Sequence, residues 1–326
     1  MKNKFLTAVS AVAIGALALT GCSGDSGGDS GEGGGEPITI NAGWVPTIHS
    51  THWATTSQFL EDENVTINLS PFKTNNEMMV AMQGGSLDMM TMGYNNTITA
   101  LDRGDVNFQY VAGVSEGGTR ILVREGVEVE SWDDIKGLTV GTAQGSTQYQ
   151  QLVLAAEANG IDIVEDTDFV NIGSAPDMIL SLMNGDVDVI SVWEPSASEG
   201  LISEYGYEVP AISDTFYDDS FRLNSGLAVS NDFIESNPEA VDAVIAALGK
   251  AEEKVNSDSQ WWVDEFMKLS SSDPEVLNEA ITNVTAVTAV DVAEVEAIAA
   301  GLYNIGLVGE DYSDRVPELI YNGGNE

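Results

Sequence analysis

The chain has 326 residues, 43% of them hydrophobic, which is enough for two cores and about two domains at ~150 residues each. Its 52 Asp and Glu against 12 Lys and Arg give a formal net charge of −40. That balance argues against a nucleic-acid partner, because a phosphate backbone needs cationic contacts, and against anionic lipid met through the protein surface. The acid is spread along the chain and reads as a solvated surface compatible with a salt-tolerant source, not as a disordered tail.

Residues 1–21 read as a signal peptide, with Lys2 and Lys4 ahead of an apolar run over residues 5–19. The run ends Leu19-Thr20-Gly21-Cys22. This resembles the bacterial lipobox, in which the cysteine is lipidated and becomes the mature N-terminus. Loss of Lys2 and Lys4 takes the net charge from −40 to −42. Cys22 is the one cysteine, so no intramolecular disulfide forms. Residues 22–37 hold this Cys and a Gly/Ser stretch with Asp and Glu, a flexible acidic linker that has no apolar area to bury. No second apolar run reaches the ~18 residues needed to span a bilayer.

The fold starts at Ile38. Residues 38–43 predict a strand, 51–63 a helix, 66–72 a strand, 75–83 a helix, 89–92 a strand and 95–102 a helix, followed by strands at 108–114 and 120–123. A second unit follows, with a short helix at 132–137 and a strand at 138–142. Next come a helix at 148–159, a strand at 168–172 and a helix from 175. A helix at 197–204, a strand at 209–212 and a strand at 223–229 complete it. From Asn237 onward the pattern is helical, with no clear strands between the helices. Alternating strands and helices at this spacing argue for a parallel α/β sheet.

The chain carries an echo at a spacing of one hundred residues. Gly85 matches Gly185 and Asp88 matches Asp188, and the apolar residues at 79, 80, 82, 87, 89, 90 and 92 recur at 179, 180, 182, 187, 189, 190 and 192. Each copy reads as an amphipathic helix, a Gly stop and a short buried strand opened by Asp. Each strand then runs into a polar or aromatic tip, Gly93-Tyr94-Asn95-Asn96 in one and Trp193-Glu194-Pro195 in the other. Two similar lobes follow. Ligands of open α/β sheets sit beyond the carboxyl ends of the strands, so two such edges facing each other make a cleft.

Gly145-Ser146-Thr147, between a strand and a helix, has two readings. It cradles an anion on the unpaired N–H groups and the dipole of the helix, or Ser146 or Thr147 is an N-cap; one residue can do both. Trp44, Tyr94 and Trp193 fall at carboxyl ends of strands and either wall a pocket or pack the sheet edge. His49 and His52 are the only histidines. With no cysteine or third histidine in the fold, no metal is expected, and His49 reads as a pocket hydrogen-bonder. No Ser–His–Asp triad, Cys–His pair or Gly-x-Gly-x-x-Gly is readable, and no enzyme is expected.

Several motifs occur in a fixed order. They are Gly85-Ser86-Leu87-Asp88 leading to Thr91-Met92-Gly93, Trp132-Asp133-Asp134-Ile135-Lys136-Gly137, Gly145-Ser146-Thr147, and Gly185-Asp186-Val187-Asp188 leading to Trp193-Glu194-Pro195. Behind a lipobox, the set resembles the solute-binding lipoproteins of ABC importers, of the nitrate/sulfonate/taurine and thiamine-precursor type. The resemblance implies a two-lobed α/β fold of the type II periplasmic-binding-protein kind, with two crossover strands and extra C-terminal helices. Lobe 1 would span residues 38–121 plus 224–326, and lobe 2 residues 122–223. It further implies a monomer on the extracytoplasmic face, membrane-bound through the lipid only, that hands its ligand to a permease and ATPase and needs no cofactor. The ligand would be held by the loop after the first strand (Trp44, His49), by the tip after the first repeat (Thr91, Gly93, Tyr94, Asn95), by Gly145, Ser146 and Thr147, and by Trp193 and Glu194. Where taurine-like members are expected to carry an acid at the first crossover, this chain has Arg120, a fixed cation suited to carboxylate, sulfonate or phosphate; the alternative is that Arg120 pairs with the plentiful surface acid. The ligand expected is therefore a small organic anion. The alternatives are a pyrimidine thiamine precursor, or a sensor lipoprotein that imports nothing.

Overall fold

A computed structural model gives the structure of the protein and describes residues 37–61, 64–104, 106–217 and 222–323. The expected signal peptide, Cys22 and the expected linker up to residue 36 lie outside the described residues. The fold is the unit Glu36–Glu326. Among the described residues, no helix is long and apolar enough to cross a membrane.

Two sheets form two lobes. The first holds β1 (Ile38–Trp44), β2 (Val65–Pro71), β3 (Met89–Gly93), β4 (Phe108–Gly117), β10 (Leu223–Ser230) and β11 (Val284–Ala286), in the order β11-β4-β10-β3-β1-β2. The second holds β5 (Thr119–Arg124), β6 (Thr139–Thr142), β7 (Asp168–Asn171), β8 (Val189–Trp193) and β9 (Gly206–Tyr207), in the order β7-β6-β8-β5-β9. In each sheet one strand is flanked by two parallel partners, β1 by β2 and β3, and β6 by β7 and β8. The chain leaves the first sheet through Gly117 and Gly118, at φ +72° and +82°. A Cβ on Gly117 would strike the backbone carbonyl of Asn283, so this tight passage needs glycine. Strand β10 returns to the first sheet antiparallel to both β3 and β4.

The hundred-residue echo is structural. Asp88 N–H donates to Asn41 O at 2.8 Å, and its Oδ2 accepts from Asn41 N–H at 2.8 Å. Asp188 N–H donates to Thr139 O at 2.8 Å, and its Oδ2 accepts from Thr139 N–H at 3.1 Å. Each Asp thus locks the start of its strand to the neighbouring parallel strand. The helices ahead of them, α2 (Asn75–Gln83) and α5 (Ala175–Asn184), are capped alike, since the hydroxyls of Thr74 and Ser174 accept from the backbone N–H three residues on. From residue 76 to residue 92 the alternation of buried and exposed positions matches that from 176 to 192.

The C-terminal helices cover both faces of the first sheet. Those at Pro238–Ser257 and Ser259–Met267 pack Val241, Val244, Leu248, Trp262 and Phe266 against Ile40, Ala42 and Leu227 on one face. The helix Val292–Asn304 packs Ile298 and Leu302 with Met90, Tyr94 and Tyr110 on the other. Three expectations are corrected. The helix expected over residues 51–63 is α-helical only at Thr51–Thr55 and continues as a 3-10 turn over Thr56–Phe59. The hydroxyls of Thr51, Thr55 and Thr56 donate to nearby carbonyls there, offering the backbone an alternative to the regular ladder. The strand expected at 209–212 is instead β9 followed by a helix at Pro210–Tyr217, with Pro210 at the first helical position, where no N–H is needed. The C-terminal region also contains β11, which pairs with β4 at the sheet edge; three residues are too few to show a period.

Candidate functional site

A cavity of about 260 Å³ lies between the lobes. Its walls come from the carboxyl ends of the central parallel strands, which is where open α/β sheets place ligands. The first lobe contributes the loop after β1, the loop after β2, and the end of β3. The second contributes the loop after β6, residues just past β7, and Trp193 at the end of β8. Asn224 and Ser225 of the returning strand close the back.

Gly145 turns the chain at φ +82° into α4 (Thr147–Ala158). The Ser146 hydroxyl accepts from Tyr149 N–H at 3.1 Å and is the N-cap. The N–H groups of Thr147 and Gln148, at the first two helical positions, have no intrahelical acceptor and begin the helix at the cavity wall. Capping and the capacity to receive an anion therefore coexist. Gly145, Ser146 and Thr147 all line the cavity, as do His49, Thr91 and Gly93 from the other lobe, and Trp193.

The remaining expected residues lie off the wall. Trp44 is buried in the core of the first lobe, on the same strand face as Ile40 and Ala42. Tyr94 is fully buried with its ring 4.7 Å from that of Tyr110, and burial pushes its hydroxyl well up from its ordinary value. Asn95 is buried beside the cavity, but its neighbour Asn96 is the one that lines it. Arg120 does not reach the cavity. Its Nε donates to Glu194 Oε1 at 2.6 Å, Nη1 to Glu208 Oε2 at 2.7 Å, and Nη2 to Glu279 Oε1 at 3.1 Å. Three carboxylates occupy the fork that was expected to meet an anion. Glu194 is fully buried; burial pushes its carboxyl up, and the Arg120 charge pulls against that shift.

His49 Nε2 lies 3.0 Å from Thr47 Oγ1. Burial lowers the His49 pKa to about 4 and that of His52 to about 3, so both imidazoles are neutral at pH 7. Among the described residues no group of three His, Cys, Asp or Glu side chains is placed to hold a metal.

Lys73 and Asn96 are wall residues that sequence reasoning passed over. Lys73 follows β2, so the strand-edge rule that selected the tips of β1 and β3 also pointed here. Among the described residues the wall carries this one Lys and no Asp or Glu, although the chain has 52 acids. Hydroxyls and amides make up most of the rest, with Val45, Met92, Ala143 and Trp193 as apolar patches. Such a wall can hold a small solute with a negatively charged head and an apolar body.

Among proteins of known sequence, a Brucella abortus protein named as a binding protein is 26% identical over 162 residues, 48% of each chain; the match spans about half the length of that relative. Among solved structures, the aliphatic sulphonate binding protein SsuA of Escherichia coli superposes with a TM-score of 0.73 at 20% identity, covering 88% of this chain and 93% of that one. The alkanesulfonate-binding protein SsuA of Xanthomonas axonopodis pv. citri, bound to MOPS, superposes with a TM-score of 0.74 at 17% identity, covering 88% of this chain and 99% of that one. The fold is the two-lobed periplasmic-binding-protein fold. Residues 33–261 match the NMT1-like family, and the chain belongs to it.

Proposed function

We propose that the protein is the extracytoplasmic solute-binding lipoprotein of an ABC importer, anchored through Cys22, and that it captures a small organic anion of the sulfonate class and passes it to a permease. The observation that carries this reading is the charge of the cavity wall. In a chain with net charge −40, the wall combines Lys73 with the start of α4 and, among the described residues, bears no carboxylate. A cation would find no counter-charge there, and an anion finds oriented N–H groups, hydroxyls and one ammonium. Trp193 offers an aromatic surface to the apolar part of the solute. The two lobes favour capture by closure, since a ligand that touches both stabilises the closed arrangement by its extra contacts.

A thermal-shift screen of the full chain against sulfonates, nitrate, bicarbonate, carboxylates and neutral pyrimidines tests this reading. A ligand at 100 times its dissociation constant stabilises by ~2.7 kcal/mol, a shift of several degrees. Stabilisation by alkanesulfonates, with none by neutral pyrimidines, is the expected result. Stabilisation by pyrimidines alone replaces the anion with a neutral heterocycle.

A further inference from the structure

One side of the cavity is a direct contact between the lobes. Helix α3 (Tyr94–Asp102), which follows β3, meets α4, which follows β6. Asn96 is at the centre of the contact. Its Nδ2 donates to Gly145 O at 2.8 Å, and its Oδ1 accepts from Thr147 Oγ1 at 3.0 Å. The same Oδ1 accepts from Asn75 Nδ2 at 3.0 Å, which fixes the side chain on its own lobe. One turn on, Gln150 Nε2 donates to Thr99 Oγ1 at 2.9 Å.

Gly93 lies directly under this contact. A Cβ at that position would collide with Thr147 Oγ1 across the cleft and with Asn96 Oδ1. The backbone of Gly93 is at φ −67°, ψ 136°, where any residue is at ease. Nothing in its own strand therefore calls for glycine; the demand comes from Thr147 on the other lobe and from Asn96, the residue that reaches across to it. The contact is also polar and incompletely paired. Gln150 Oε1 is buried with no hydrogen-bond partner. Such groups regain hydrogen bonds from water when an interface parts. Direct bonds favour the lobes together and hydration favours them apart, so the contact sits where a bound solute can tip it.

We infer that Gly93, Asn96 and Thr147 form a closure latch: a glycine that leaves room, and an amide–hydroxyl pair that fastens the lobes once they meet. They act as positioning residues, setting affinity through the population of the closed arrangement. The inference rests on the cavity being a ligand cleft.

The test uses the full chain with Cys22→Ser and spin labels on Val80→Cys and Leu180→Cys, two positions at 68% and 49% exposure on α2 and α5. Distance distributions are recorded without solute and with butane-1-sulfonate. Gly93→Ala is expected to shift the distribution to longer distances, and Gly93→Ala with Thr147→Ala to move it back towards the short one, because the second change removes the nearer of the two colliding atoms, the one across the cleft. Asn96→Ala, which loses bonds without adding a clash, is expected to shift it in the same direction by less. An unchanged distribution in Gly93→Ala, or no recovery in the double variant, overturns the latch. A merely structural defect would not be rescued by a second truncation. Butane-1-sulfonate affinity is expected to fall about tenfold in Gly93→Ala. If the parent does not bind the sulfonate, the ligand class fails, and the distance shifts still decide the latch on their own.

Discussion

At the scale of single residues, the two histidines carry a pH dependence with a definite sign. Both are buried, and burial lowers their folded-state pKa values from 6.5 to about 4 for His49 and about 3 for His52. The unfolded chain takes up protons on both near pH 6.5, and the folded chain does so only below about pH 4. The stability tied to these groups is fully present above pH 6.5 and is lost as pH falls towards 4. Unfolding free energy measured between pH 6 and pH 4.5 is expected to fall less steeply in His52→Gln, by about one proton or ~1.4 kcal/mol per pH unit. Parallel curves for parent and variant would show that His52 is not held neutral. The residues also show how far a sequence can be read. Trp193 was placed by its strand end. Trp44 was misplaced against its own pattern, because Ile40 and Ala42 already put position 44 on the core face. For Arg120 the pairing with acid was open as an alternative, but its partners were not legible, since Glu208 and Glu279 reach it from 88 and 159 residues away.

At the scale of elements, the echo was the strongest signal because the same physical task is solved twice. Asp88 and Asp188 each accept a neighbouring strand's N–H, and the glycine positions ahead of them end the helices. Asp188→Ala is expected to cost more stability than Asp88→Ala. Both variants release one backbone N–H, worth about 1 kcal/mol. Asp188→Ala also strips Arg124 of the partner that its Nη2 meets at 2.7 Å, at a half-buried site. Equal losses in chemical denaturation, or a larger loss for Asp88→Ala, would contradict this account. Elements without a period or a twin were read less well. The broken helix after Thr51 and the three-residue β11 are set by local hydroxyl bonds and by a sheet edge, neither of which leaves a repeating mark.

At the scale of the whole molecule, the chain keeps its acid out of the cavity wall between the two lobes, which among the described residues carries no carboxylate. The two-lobed architecture was legible from alternation and repeat; the latch was not, because it depends on how α3 and α4 meet in space. The central claim is that this wall selects negative charge. The most direct measurement is a calorimetric titration of the full chain with butane-1-sulfonate and, in parallel, with butylammonium, which has the same alkyl body and the opposite charge. The account predicts saturable binding of the sulfonate and none of the ammonium. Binding of the ammonium, or equal binding of both, would contradict it.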